Sequence, residues 1–264
     1  MQKNYQQQTL GILGGGQLGR MLIQSAIDYN LEVHILDPDP NAPCKYLSNN
    51  FVNGDLKDFD AVYNFGKNCD VISIEIEHVN TEALLRLEEE GKKVFPQPHI
   101  IALIQDKRSQ KQFYLDQGIP TSPFILTENK EEVKRNAEFL PAVNKLGKEG
   151  YDGRGVQMMR NADDLEKAFD APGLLEKLID FDKELAVIVS RNEAGEVKSF
   201  PSVECAFHPE HNLVEFLFSP ANISPEVDAK ARELAEEVIQ KLDMVGLLAV
   251  EMFLTKDGEL LVNE

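Results

Sequence analysis

Apolar runs and helical spacings alternate along the first third of the chain. Thr9–Leu13 is a short apolar run followed at once by the glycine turn Gly14-Gly-Gly16-Gln-Leu-Gly19. Leu18, Met21, Leu22 and Ala26 then recur at helical spacing, and Glu32–Leu36 is the next apolar run, with Asp37 at its end. Strand, glycine turn, helix and strand make a βαβ unit. Phe51-Val52, Cys69–Ile74 and Lys93–Phe95 predict further strands, and a helix begins at Thr81. The pattern closes a doubly wound parallel sheet at about residue 97, where Pro96 and Pro98 punctuate the chain.

A second pattern fills 98–264. Helices are expected around Ile100–Ile104, over Lys107–Gln117 with Gly118 at the C-cap, and over Glu131–Phe139. From Pro141 onward strand signals dominate. Ala142-Val143 reads as the end of a strand that puts Lys145 at the rim of a loop, and one helix is expected at Ala162–Phe169. Further strands are predicted at 174–176, 184–190, 197–203 and 214–218. A helix starts with Ser224 as N-cap and Pro225 at its first position, with Val227, Ala231, Leu234, Val238 and Leu242 on one face. Gly246–Leu254 and Glu259–Val262 pair as a hairpin turned at Lys256-Asp-Gly258. The fold class is α/β: a parallel domain over 1–97, then an α+β domain over 98–264.

Composition narrows the function. A length of 264 residues with 42% hydrophobic side chains supports two or three cores. The net charge of −18 argues against binding nucleic acid or an anionic membrane, and no apolar run reaches the length of a membrane helix. The N-terminus is polar and lacks the apolar core of a signal peptide. Cys44, Cys69 and Cys205 are an odd, widely spaced set, which fits a reducing cytoplasm.

The chemistry concentrates in Lys145-Leu-Gly-Lys-Glu-Gly-Tyr-Asp-Gly-Arg-Gly155. Its glycines allow tight turning and close approach, and Lys145, Tyr151, Asp152 and Arg154 could grip a phosphate or polar substrate. A solvent-exposed hairpin loop would also use glycine and aspartate. Gly14-x-Gly16-x-x-Gly19 with Asp37 about 20 residues on matches the dinucleotide fingerprint, although such a turn serves any anion at a helix N-terminus. Glu251 and Glu264 fall on the two paired strands, and buried paired carboxylates repel unless a cation joins them. With Asn263 they form an oxygen-only set suited to magnesium; two edge-strand glutamates facing water would show the same spacing. Glu176 and Glu184 flank a linker whose backbone could read an adenine edge while the second carboxylate takes ribose hydroxyls. An acidic surface loop is the plain alternative. His208-Pro-Glu-His211 has metal-like spacing but reads better as a polar turn.

Together these motifs resemble the ATP-grasp superfamily, and within it the N5-carboxyaminoimidazole ribonucleotide synthetase family of purine biosynthesis. The resemblance rests on Gly14–Met21, Ser73–Val79, Gln105–Lys111, Leu260–Glu264 and, most specifically, Gly150-Tyr-Asp-Gly-Arg-Gly155, all in family order. It implies a pre-ATP-grasp domain followed by an ATP-grasp domain, with ATP and Mg2+ as cofactors and a dimer in the cytoplasm. By that resemblance Lys107 and Lys145 contact ATP phosphates. Glu176 and the backbone of Lys177, Leu178 and Ile179 hold adenine, and Glu184 holds the ribose. Glu251 and Glu264 ligate magnesium, with Asn263 beside them. Gly16, Gln17, Leu18, Glu75, Tyr151, Asp152 and Arg154 face 5-aminoimidazole ribonucleotide and bicarbonate, and the last four carry the chemistry. The expected reaction is ATP-dependent carboxylation of the ribonucleotide's amine through carboxyphosphate.

Two departures qualify it. The family pattern continues past the Asn-Glu pair into a small C-terminal domain that this sequence lacks, so an inactive fragment is one expectation. The family's Glu-Asn and nearby histidine are replaced by Glu204-Cys205-Ala206-Phe207, which leaves the part of His208 open. Competing expectations are another carboxylate–amine ligase, such as formate-dependent glycinamide ribonucleotide transformylase, a nicotinamide-dependent oxidoreductase built on Gly14–Gly19, and a non-catalytic nucleotide-binding remnant.

Overall fold

The computed structural model describes residues 8–148, 155–207 and 214–264. Its contacts divide the chain into two compact units, Met1–Ala102 and Leu103–Glu264.

In the first unit the chain runs β1 (Thr9–Leu13), α1 (Gln17–Asp28), β2 (Glu32–Asp37), β3 (Asn50–Asn53), α2 (Phe59–Gly66), β4 (Val71–Ile74), α3 (Thr81–Glu89) and β5 (Lys93–Val94), then enters α4 (Pro98–Ile104). The five strands are parallel and ordered β3-β2-β1-β4-β5. Parallel strands with helices on both faces are buried on both sides, which is why Ile12, Leu13, Ile35, Leu36 and Ile72 are almost fully enclosed. Asp58 and Asn80 cap α2 and α3 by accepting from Ala61 N and Ala83 N, as short polar side chains do for orphan amides. The strand order reverses between β1 and β4, so the crevice beyond their carboxyl ends is where ligands of such sheets gather. Gly14–Gly16 follows β1 and Glu75 follows β4, both at that point.

The second unit holds two antiparallel sheets. Its elements are α5 (Lys107–Asp116), β6 (Phe124–Thr127), α6 (Lys130–Arg135), β7 (Ala142–Leu146), β8 (Val156–Met159), β9 (Gly173–Lys177), β10 (Phe181–Arg191), β11 (Val197–Ser199), β12 (Val203–Phe207), β13 (Val214–Phe218), α7 (Pro225–Lys241), β14 (Gly246–Thr255) and β15 (Leu260–Val262). One sheet is ordered β6-β9-β7-β8; the other is β13-β12-β10-β14-β15, with β11 on β10. Ser224 caps α7, whose Ala231, Leu234, Ala235, Val238 and Ile239 are buried. That stripe packs over the face of β10 and β14 carrying Leu185, Val187, Val250 and Met252. Period-2 alternation then sends Glu184, Ala186, Glu251 and Phe253 to the opposite face.

Four local expectations need correction. The stretch 197–203 is two strands, because Pro201 cannot donate to a ladder and Ser202 N turns aside to Asp228 Oδ1. The helix expected at 162–169 is a 3-10 turn, Ala162–Lys167, and that over 131–139 is α6 followed by a 3-10 turn at Ala137–Phe139. Lys145 lies inside β7, not at a loop rim. Val156 and Leu174 pair with it from either side, which prolongs the strand past Val143.

Candidate functional site

On β7 and β9, Val143 stands opposite Glu176 and Lys145 opposite Leu174. Cross-strand partners share a face, so Lys145 and Glu176 are diagonal neighbours on one side of the sheet. The other side, with Ala142, Met159 and Leu175, packs on Val133 and Leu165 and holds the pair in place. Glu176 is 2% exposed and Lys145 8%. Lys145 Nζ lies 2.8 Å from Glu176 Oε2, 3.1 Å from Asn263 Oδ1 and 3.9 Å from Glu264 Oε1.

Helix α5 supplies the facing cations. Asp106 caps it by accepting from Arg108 N, and Lys107 and Lys111 project from one face a turn apart. Lys107 Nζ donates to Glu264 Oε1 at 2.6 Å, and Lys111 Nζ donates to Glu176 Oε1 at 2.7 Å. The site therefore alternates in sign: Lys107, Glu264, Lys145, Glu176, Lys111. Burial pushes the Glu176 carboxyl up, but Lys145 and Lys111 outweigh it and hold the group below the ordinary carboxylate range. Burial likewise pulls Lys145 down, and Glu176 and Glu264 overcome it to hold the ammonium above its ordinary value.

Carboxylates dominate the neighbouring face. Hairpin register places Asn263 opposite Glu251, with Asn263 N donating to Glu251 O and Glu251 N to Glu264 O. Glu264, expected on the paired strand, lies two residues past the end of β15, and its side chain turns to the lysines. Glu251 is pushed up by burial and by Glu264. Burial and Glu251 push Glu184 from 4.5 to about 7. Both carboxyls are raised although Lys107 and Lys145 lie near them, and carboxylate oxygens so crowded suit a hard cation. Among the described residues no group of three or more His, Cys, Asp or Glu side chains converges as a metal cage. A cation on Glu251 and Glu264 would therefore complete its shell with oxygens from another source, as magnesium does with phosphates.

The raised Glu184 has a solution consequence. Between pH 4.5 and about 7 the folded protein holds that proton more tightly than the unfolded chain does. Stability accordingly falls as pH rises through this window. Thermal melts of the ligand-free chain should show Tm dropping by roughly 2–4 °C between about pH 5 and about pH 8, and Glu184→Gln should flatten that slope.

Glu176, expected to hold adenine, has its two oxygens beside Lys111 and Lys145. Lys177 N and Leu178 N donate to Pro123 O and Pro141 O at 2.8 and 3.2 Å, so these amides are committed as well. Sequence reasoning passed over Lys111 and Thr121; the lysine repeat at i and i+4 on one helix was the available signal. Tyr151, Asp152, Arg154, Gly150, Gly153, His208 and His211 lie outside the described residues.

In the first unit the glycine turn takes a different form from a dinucleotide cradle. Asp37 Oδ2 accepts from Gly15 N at 2.6 Å and Oδ1 from Asp39 N at 2.7 Å, so the acid expected on a ribose is a turn cap. A Cβ at Gly14, whose φ is +103°, would stand 2.7 Å from Glu75 Oε2, and one at Gly16 would stand 2.7 Å from Glu75 Oε1. Glu75 thus puts a carboxylate where a pyrophosphate would meet the start of α1, which removes the basis for a nicotinamide site. Gln17 and Leu18 open α1, with Leu18 65% exposed beside this turn.

Comparison with known proteins agrees. Residues 7–105 match the model of the ribonucleotide synthetase preATP-grasp domain, and residues 112–264 match the ATP-grasp domain. The chain is 38% identical to phosphoribosylaminoimidazole carboxylase of Ogataea methanolica over 97% of its own length and 49% of that protein. It thus spans about half the length of such curated relatives. It is 34% identical to N5-carboxyaminoimidazole ribonucleotide synthase of Bacillus subtilis, covering 97% of this chain and 68% of the relative. Among solved structures, N5-carboxyaminoimidazole synthase of Aspergillus clavatus in complex with ADP and 5-aminoimidazole ribonucleotide superposes with a TM-score of 0.89. That structure is 35% identical, covering 99% of this chain and 70% of its own. Sequence, parallel and antiparallel architecture and the lysine–glutamate site concur: the chain belongs to the N5-carboxyaminoimidazole ribonucleotide synthase family of ATP-grasp proteins.

Proposed function

We propose that the protein carboxylates the amine of 5-aminoimidazole ribonucleotide in purine biosynthesis, consuming ATP and bicarbonate and releasing ADP and phosphate. The observation that carries this is the convergence of Lys107, Lys145, Glu251, Asn263 and Glu264 in one unit, two ammonium groups beside two carboxylates. A triphosphate needs the cations, and the carboxylates need a metal that the triphosphate can share. The ligands of the Aspergillus clavatus structure, ADP and 5-aminoimidazole ribonucleotide, support the same substrates.

In this reading Lys107 and Lys145 hold the phosphates and offset charge on the transferring phosphoryl group. Glu184, on the face of β10 shared with Glu251, takes the ribose, and the amide at Ile179 reads the base, since those of Lys177 and Leu178 are occupied. Mg2+ on Glu251 and Glu264 would neutralise phosphate oxygens as a Lewis acid. The phosphoryl group passes from ATP to a bicarbonate oxygen, giving carboxyphosphate and ADP. The ribonucleotide's amine then attacks the carboxyphosphate carbon, phosphate departs with the C–O bond pair, and the amine gives up a proton to Asp152 or Glu75. Gly16, Gln17, Leu18, Tyr151 and Arg154 are assigned to the ribonucleotide by the family resemblance. That resemblance also implies a homodimer. The free thiols of Cys44, Cys69 and Cys205 suit the cytoplasm.

ADP release should require 5-aminoimidazole ribonucleotide and bicarbonate together. Turnover that ignores the ribonucleotide, or that runs on formate and glycinamide ribonucleotide instead, would refute the proposal.

A further inference from the structure

Lys111 has no part in the reaction just described, yet its side chain is 2% exposed and fully charged groups are costly to enclose. Its Nζ lies 2.7 Å from Glu176 Oε1, 2.6 Å from Thr121 Oγ1 and 3.4 Å from Val262 O. Thr121 spends its own proton on Val262 O at 2.6 Å, so its oxygen meets Lys111 as an acceptor. Among the described residues, three acceptors and no donor surround the nitrogen, which is the environment of an ammonium with three N–H bonds to give.

The other oxygen of Glu176 faces Lys145 at 2.8 Å. Glu176 and Lys145 alone would sum to zero charge, a closed ion pair with little left for a phosphate. With Lys111 the buried triad carries one net positive charge, and only Lys145 adjoins the Asn263 and Glu264 end of the site. We propose that Lys111 is a positioning residue for nucleotide binding: it neutralises Glu176 from beneath, so that Glu176 orients Lys145 without cancelling its charge.

This inference rests on the reading that Lys145 meets a nucleotide phosphate. A lysine kept only to fill space is poorly explained here, because an apolar chain of similar volume would fill the position without the desolvation cost. A carboxylate kept only to orient Lys145 would need no second ammonium. Both features follow if the site must hold Lys145 rigidly and keep it positive.

Calorimetric titration of ADP into the chain tests the idea. Lys111→Met should weaken ADP binding by on the order of tenfold or more, since one unit of charge near the phosphates is lost. Adding Glu176→Gln to Lys111→Met should recover most of that loss, because the triad again carries one positive charge. Packing alone predicts the opposite, a double variant that binds no better than the single one, and that result would overturn the proposal. Should Lys111→Met fail to fold, Lys111→Gln with Glu176→Gln keeps a hydrogen-bonded neutral pair. It should bind ADP several-fold more tightly than Lys111→Gln alone; a double variant that binds no better than that single one would overturn the inference. A parent chain that binds no ADP would refute the adenine-nucleotide reading itself, and this inference with it.

Discussion

Glu251→Gln should lower magnesium-dependent ADP release by on the order of a hundredfold or more, because the amide cannot supply the anionic oxygen that a hard cation requires. The same change should leave the ligand-free fold as stable as before, or slightly more so. Glu251 is pushed up by burial and by Glu264, so its charge opposes folding in the absence of a cation. Steady-state turnover across a magnesium titration, paired with thermal melts of the ligand-free chain, separates the two effects. Unchanged turnover would remove Glu251 from the metal site; a collapse in stability would show that it is a structural anchor instead. Glu264→Gln differs, since Glu264 Oε1 also accepts from Lys107 Nζ at 2.6 Å. Its loss of turnover should therefore come with weaker nucleotide binding.

The second large effect is on stability. Gly173→Ala should cost about 3 kcal/mol or more, because the new methyl meets backbone that cannot rotate away. A Cβ there would stand 2.2 Å from Lys145 O, on the strand paired alongside. Gly173 lies between Thr127 of β6 and Leu146 of β7, so relieving the overlap means parting two strands. Those strands fix the diagonal of Lys145 and Glu176, so nucleotide affinity should fall with stability. Urea unfolding and ADP titration read the two losses. An alanine variant with parent-like stability would mean that β7 and β9 can separate at this point without penalty.

Periodicity was a good guide wherever one face of an element is buried. The βαβ rhythm through Asp37, the capped α7 stripe and the hairpin turned at Lys256-Asp-Gly258 are all present, because burying such faces is what those patterns encode. It was a poorer guide at strand ends. The sequence puts Lys145 at a loop rim because no local signal extends a strand through Asn144 and Lys145. Pairing with Val156 on one side and Leu174 on the other supplies what the segment lacks by itself. The dinucleotide fingerprint misled for a related reason. Glycine spacing records how closely something approaches the turn, and here that something is Glu75, from a strand about 60 residues away in sequence.

By itself the sequence determined which residues carry charge, which faces are apolar, and the order of motifs that marks the family. Those are properties of composition and spacing. Only the tertiary structure decided how the charges are shared. In the sequence Glu176 is a carboxylate with no assigned counter-charge; β7, β9 and α5 bring two ammonium groups to its two oxygens. Lys111 is in the sequence only the last residue of the Gln105–Lys111 motif; the end of β15 and Thr121 enclose it. Burial and distance set electrostatic energies inside a protein, and both depend on segments far apart in sequence. The pairing of these charges therefore appears only when the chain has folded.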